Sequence, residues 1–106
     1  MSIWKSKIST ITPVEVEQRL QSGERLNIID VREIDEIAEG KIKQARSIPL
    51  GTLENRLQDL NREQEYIMVC RSGGRSERAC KVMQKNGFKV TNMVGGMLQW
   101  NGKISK

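Results

Sequence analysis

Short branched apolar runs alternate along this chain with segments of helical spacing, and that alternation restricts the fold more than any other feature. Leu26–Val31 and Tyr66–Cys70 are compact and rich in branched residues, the pattern of buried strands. Phe88–Val94 is a third such run, and Ala45–Pro49 is a short extended segment. Between them, Thr12, Pro13 and Glu15 form a helix start, because Thr12 can cap, Pro13 suits the first helical position and Glu15 completes a capping box. Val14, Val16 and Leu20 would supply part of that helix's apolar face, and Gly23 would stop it. Glu33–Glu39 has helical spacing in Ile34, Ile37 and Ala38 before Gly40, and Thr52–Leu60 aligns Leu53, Leu57 and Leu60. A further helix is predicted from Arg75 or Ser76 to Asn86-Gly87, and a last short one around Leu98 and Trp100. Strands alternating with helices predict an α/β fold with a mainly parallel sheet.

At 106 residues the chain suits one domain, residues 1–106, with a self-sufficient core, and no repeat, low-complexity stretch or linker divides it. Its longest apolar runs, such as Ile67–Cys70, are far too short to cross a bilayer. The segment Met1–Lys7 lacks the continuous apolar stretch of a signal peptide, so a cytoplasmic protein is expected, with no membrane partner. The formal charge of +5 is spread from Lys5 to Lys106 among acidic residues, and two Trp, one Tyr and one Phe make a poor stacking platform, so no nucleic-acid partner is expected. Two cysteines without an export signal argue for reduced thiols. The chain has no histidine, which removes Ser-His and Cys-His catalysis and leaves too few soft ligands for a zinc site.

The chemistry therefore concentrates at Cys70-Arg71-Ser72-Gly73-Gly74-Arg75, with Ser76 following. In parallel sheets, ligands collect beyond the carboxyl ends of strands, and Cys70 falls at such an end. Gly73 and Gly74 permit the left-handed conformations of a concave N–H nest, and the helix after them adds unpaired N–H groups and a positive dipole end. Two guanidinium groups and that dipole should favour the Cys70 thiolate with no histidine base. The pattern alone leaves two readings open, a nucleophile or a buried packing cysteine. Cys80, mid-helix beside apolar neighbours, is read as core, with a redox partner as the alternative. Asp30 and Glu33 flank Arg32 at the end of a strand on the same rim, either as an acid-base pair or, in the favoured reading, as a structural Asp30–Arg32 ion pair. Trp4 and Trp100 are read as packing residues.

Three stretches together resemble a single-domain rhodanese over nearly the whole chain. They are Asp30-Val31-Arg32-Glu33 through Glu36 and Glu39–Ile42 to Ala45–Leu50, then Cys70–Ser76, then Gly95-Gly96-Met97 with Trp100. The resemblance implies a five-stranded, mainly parallel sheet with helices on both faces. It also implies a sulfurtransferase that moves a sulfane sulfur from thiosulfate or a persulfide to cyanide, a thiol or a protein. The intermediate would be a covalent persulfide on Cys70, with no cofactor or metal. Arg71 and Arg75 match the positions that bind the anionic donor, and the N–H groups of residues 71–75 would hold the persulfide. The alternative is a sulfur-carrier or protein-binding module of the same family with little turnover. Related phosphatases have a cysteine-to-arginine loop one residue longer, and Ser76 stands where their arginine would be. The family often has Gly-His at Gly40-Lys41 and Gly-Ala at Gln44-Ala45. A monomer or weak dimer is expected.

Overall fold

A computed structural model of the protein describes residues 7–106. Trp4 lies outside the described residues. The order of elements is β1 (Ser9–Ile11), α1 (Pro13–Gln21), β2 (Ile28–Asp30), α2 (Ile34–Ile37), β3 (Ala45–Ser47), α3 (Leu53–Arg56), β4 (Glu65–Val69), α4 (Gly74–Lys85) and β5 (Lys89–Met93). Single 3₁₀ turns flank α3 at Leu50–Thr52 and Leu57–Asp59, and another follows β5 at Gly96–Gln99. The five strands form one sheet in the order β1-β5-β4-β2-β3, and every neighbouring pair is parallel. No helix among the described residues is long and apolar enough to cross a membrane.

Alternation along the strands sorts the core into two layers. Ile29, Val31, Tyr66, Met68, Cys70 and Val90 face one side, where they pack with Leu53, Leu57 and Leu60 and with Ala79, Cys80 and Met83 of α4. Ile28, Ile67, Val69, Met93 and Ile11 face the other, against Val16 and Leu20 of α1 and against Met97 and Trp100. A strand buried on both faces shows a continuous apolar run, which is why β2 and β4 were the clearest elements in the sequence.

Several expectations need correction. Val14 is 53% exposed and does not share the buried face of α1. It lies two residues before Val16, about 200° around a helix of 3.6 residues per turn, whereas Pro13, Val16 and Leu20 cluster within roughly 60°. In α2, Ile34 is 78% exposed and Ala38 is exposed, so the turn has no buried apolar face. Polar ties hold it instead: the Glu33 N–H donates to Glu36 Oε1 at 2.9 Å, and Arg32 Nη2 donates to the Gly40 carbonyl at 2.9 Å. The segment Thr52–Leu60 does bury Leu53, Leu57 and Leu60, but as a short α-turn between 3₁₀ turns. The last short helix is a 3₁₀ turn that exposes Leu98 while Trp100 packs on the core. Strand β1 had no signal of its own, because two exposed polar residues before one buried residue, Ile11, are too short a run to show alternation, and the strand is set by its pairing with β5.

Lys41 turns inward on its own loop. Its ammonium donates to the carbonyls of Ile42, Lys43 and Ala45 at 3.0, 3.2 and 2.7 Å, so its charge is spent on local backbone acceptors. Its backbone pairs with Ser105 in both directions, which fastens the C-terminal segment to this loop.

Candidate active site

Strand β4 ends at Val69 and delivers Cys70 to the carboxyl edge of the sheet, with its side chain on the α4 face. The chain then turns through Arg71, Ser72 and Gly73 into α4, which begins at Gly74. Gly73 takes φ +107°, a conformation that side chains rarely adopt, and its N–H donates to Cys70 Sγ at 3.0 Å. Gly74 does not have a positive φ, so one left-handed glycine closes the nest rather than two.

Cys70 is 1% exposed, at the floor of this loop. Burial pushes its thiol up, but hydrogen bonds from the Ser76 side chain and from the backbone of Ser76, Gly73 and Ser72 outweigh that and leave its pKa below the ordinary thiol value of 9.0. The leading favourable contributions are thus hydrogen bonds, where two guanidinium charges were expected. Cys80 behaves oppositely: fully buried, with Glu77 and Cys70 nearby, its thiol is pushed up to about 12. Iodoacetamide at mildly alkaline pH should therefore alkylate Cys70 with a midpoint below 9.0 and leave Cys80 unmodified, as peptide mass mapping would read directly.

Arg71 is exposed on the lip of the loop, beside a groove bordered by Asp35, Glu39, Met97 and Leu98. Arg75 is half-buried, and both of its Nη atoms are bound by Glu36, at 2.8 Å to each carboxylate oxygen. That pairing holds the Glu36 carboxyl down at about 2. A carboxylate with a depressed folded pKa adds stability that is present above its unfolded value near 4.5 and is lost as pH falls toward 2. Glu36→Gln should remove that part of the acid-unfolding transition, as circular dichroism across pH 2–5 would record.

Asp30 and Arg32 form the structural pair. Asp30 accepts from the Arg32 backbone N–H at 3.0 Å, from Nε at 3.0 and 3.1 Å, and from Nη2 at 2.8 Å, all buried. Glu33 is exposed at the start of α2 and forms no pair with Asp30. Ser72 is exposed in the loop and Ser76 is buried beneath it.

Two residues absent from the sequence reading of the site complete it. Glu36 reaches Arg75 across 39 positions. Asn92, on β5 and 5% exposed, lies under the loop with its side chain bonded to Ser76 Oγ and the Gly73 carbonyl. A buried Asn inside an apolar strand run was the one available signal for the latter.

Gly96 locks the far side of the loop. Met97 N–H donates to the Cys70 carbonyl at 2.8 Å and Leu98 N–H to the Arg71 carbonyl at 3.0 Å. A Cβ on Gly96 would meet the carbonyls of Cys70 and Arg71, and its φ is +59°. Gly96→Ala should therefore lower stability by about 1–3 kcal/mol from backbone strain alone. The midpoint of urea unfolding would record that loss.

Comparison with known proteins agrees with this geometry. Residues 12–103 match the model of the rhodanese-like domain. The chain is 39% identical to the candidate sulfurtransferase YtwF of Bacillus subtilis, over 92% of this chain and 94% of that protein. It is 46% identical to the candidate sulfur carrier protein YrkF of the same organism, over 92% of this chain but only 54% of that longer protein. Among solved structures, a rhodanese-like domain protein from Staphylococcus aureus superposes with a TM-score of 0.87 at 31% identity, covering 92% of this chain and 97% of that one. The parallel sheet, the cysteine loop at its carboxyl edge and these matches together place the chain in the rhodanese-like domain family.

Proposed function

We propose that this member of a sulfur-transferring family is a sulfurtransferase that works through a persulfide on Cys70. The observation that carries the reading is a buried cysteine at the floor of an N–H nest, whose sulfur accepts from Gly73 N–H at 3.0 Å and lies 3.2 Å from the Ser76 hydroxyl oxygen. In the first half-reaction the Cys70 thiolate attacks the outer sulfur of thiosulfate. An S–S bond forms to Sγ, and the bond to the sulfonate sulfur breaks with its electron pair, releasing sulfite. The terminal persulfide sulfur then carries the negative charge, and the loop N–H groups with the N-terminus of α4 stabilise it. In the second half-reaction a nucleophile takes that sulfur and Sγ leaves as the thiolate.

In this reading Arg71 receives the anionic donor, since Arg75 is engaged by Glu36 and serves chiefly to set the loop wall. Glu36→Gln should then release Arg75 and lower the KM for thiosulfate severalfold. Incubation with thiosulfate followed by mass spectrometry should find one added sulfur on Cys70 and none on Cys80, and absence of the Cys70 adduct would end the proposal.

A second reading, a sulfur carrier that delivers to a protein, is favoured by the similarity to YrkF and by the exposed Leu98 beside the loop. Slow transfer to cyanide together with fast transfer to a protein thiol would select it.

A further inference from the structure

Beneath the nest, two buried side chains, Cys70 and Asn92, compete for the hydroxyl proton of a third, Ser76. The Ser76 hydroxyl oxygen lies 2.5 Å from Asn92 Oδ1, 3.2 Å from Cys70 Sγ and 3.2 Å from the Gly73 carbonyl oxygen. A serine has a single O–H to donate. The Gly73 carbonyl already accepts from the Glu77 backbone N–H at 3.1 Å and from Asn92 Nδ2 at 3.2 Å, which occupies both of its lone pairs. That second bond also sets the amide's orientation. With the amide reversed, Oδ1 would face the Gly73 carbonyl oxygen with no proton between them. The Ser76 proton is therefore left with two acceptors, the Asn92 amide oxygen and the Cys70 sulfur.

We propose that Asn92 is a positioning residue that holds the Ser76 hydroxyl proton away from the Cys70 sulfur, so that the proton turns to the sulfur only when the sulfur bears a full negative charge. In the thiol form the hydrogen bonds run in one direction, from Cys70 S–H to Ser76 Oγ, from Ser76 O–H to Asn92 Oδ1, and from Asn92 Nδ2 to the Gly73 carbonyl. In the thiolate form the Ser76 hydroxyl rotates to Sγ and Asn92 Oδ1, buried, loses its donor. Asn92 thus limits thiolate formation in the resting protein.

The use of this switch in catalysis rests on the sulfur-transfer reading. In the persulfide, Sγ is the neutral inner sulfur and the charge lies on the terminal atom, so the hydroxyl returns to Asn92. When an acceptor breaks the S–S bond, the electron pair returns to Sγ and the hydroxyl swings back to stabilise the departing thiolate. Other groups do not supply this behaviour. Arg75 and Cys80 on α4 are the titratable groups coupled electrostatically to Cys70. Arg71 is exposed, Asp30 is bound by Arg32, and the Gly96–Gln99 turn packed on the loop has no charged side chain. Arg75 and Cys80 keep their places whichever way the hydroxyl points.

The test is the pH dependence of Cys70 alkylation by iodoacetamide, which needs no sulfur donor and so stands or falls separately from the sulfurtransferase assignment. Asn92→Ala should lower the midpoint by up to about one pH unit, giving up to tenfold more thiolate below it. Ser76→Ala should raise the midpoint, and adding Asn92→Ala to Ser76→Ala should shift it no further. Asn92→Val, whose branched side chain suits a strand, is made in parallel in case the alanine variant folds poorly. A midpoint unchanged or raised by both Asn92 variants would overturn the proposal, as would a drop that persists in the Ser76→Ala background.

Discussion

Cys70→Ser is expected to abolish thiosulfate:cyanide turnover, a loss of at least about a thousandfold, because in the proposed persulfide mechanism it removes the nucleophile and with it the route itself. A serine oxygen cannot form the S–S bond on which the transfer depends. The substitution is otherwise mild: Cys70 is buried in the core layer below α4, and the smaller hydroxyl keeps Gly73 N–H and Ser76 Oγ within reach as partners. The urea midpoint should therefore move little while thiocyanate formation and the added sulfur at residue 70 both disappear. Turnover that survived would exclude Cys70 as the sulfur carrier. Cys80 would be a poor substitute, because its thiol is buried and pushed up to about 12.

The largest stability effect is expected at the Asp30–Arg32 pair. Arg32→Ala leaves the Asp30 carboxylate, which has no exposed surface, without the guanidinium that contacts it through Nε and Nη2. Removing one partner of a buried ion pair costs about 3–5 kcal/mol, since the remaining charge stays desolvated. The same guanidinium straps the Gly40 carbonyl, so the loop that carries Glu36 toward Arg75 loses its anchor as well. For a domain of this size the melting temperature should fall by about 15 °C or more. If Asp30 and Glu33 were instead an acid-base pair, the alternative considered from the sequence, Glu33→Gln would damage turnover in protein shown to be folded, with little change in melting temperature.

Much of the fold was legible because its signals are local. The capping box at Thr12 and Glu15 forms as predicted, with the Glu15 N–H donating to Thr12 Oγ1 and the Thr12 N–H to Glu15 Oε1. The strands at Leu26–Val31, Tyr66–Cys70 and Phe88–Val94 differ from β2, β4 and β5 by one or two residues at their ends. The failures arise where tertiary packing overrides local pattern. Val14 and Ile34 were given helical spacing by their apolarity, but α1 at the surface buries only one stripe, which Val14 misses, and the single turn of α2 buries no residue at all. Strand β1 was illegible because an edge strand is specified by the neighbour it pairs with.

Within the site, the sequence by itself placed the candidate nucleophile, its exit from a strand, the pair of glycines at which the loop bends and, to within one or two residues, the helix start behind it. All of these lie within the span Cys70–Ser76, where chain geometry alone brings the groups together. Only the tertiary structure decided which charges and protons those groups meet. Arg75 is bound by Glu36 from α2, 39 positions away, and the Ser76 hydroxyl lies against Asn92 from β5, 16 positions away. The parallel order β5-β4-β2 sets Asn92 opposite Met68 and the strand end before Arg32 opposite Val69, so the partners of the loop come from both sides of β4. Side chains joined by sheet register have no spacing in sequence to reveal them, and for that reason the electrostatics of Cys70 follow from the fold while its identity follows from the chain.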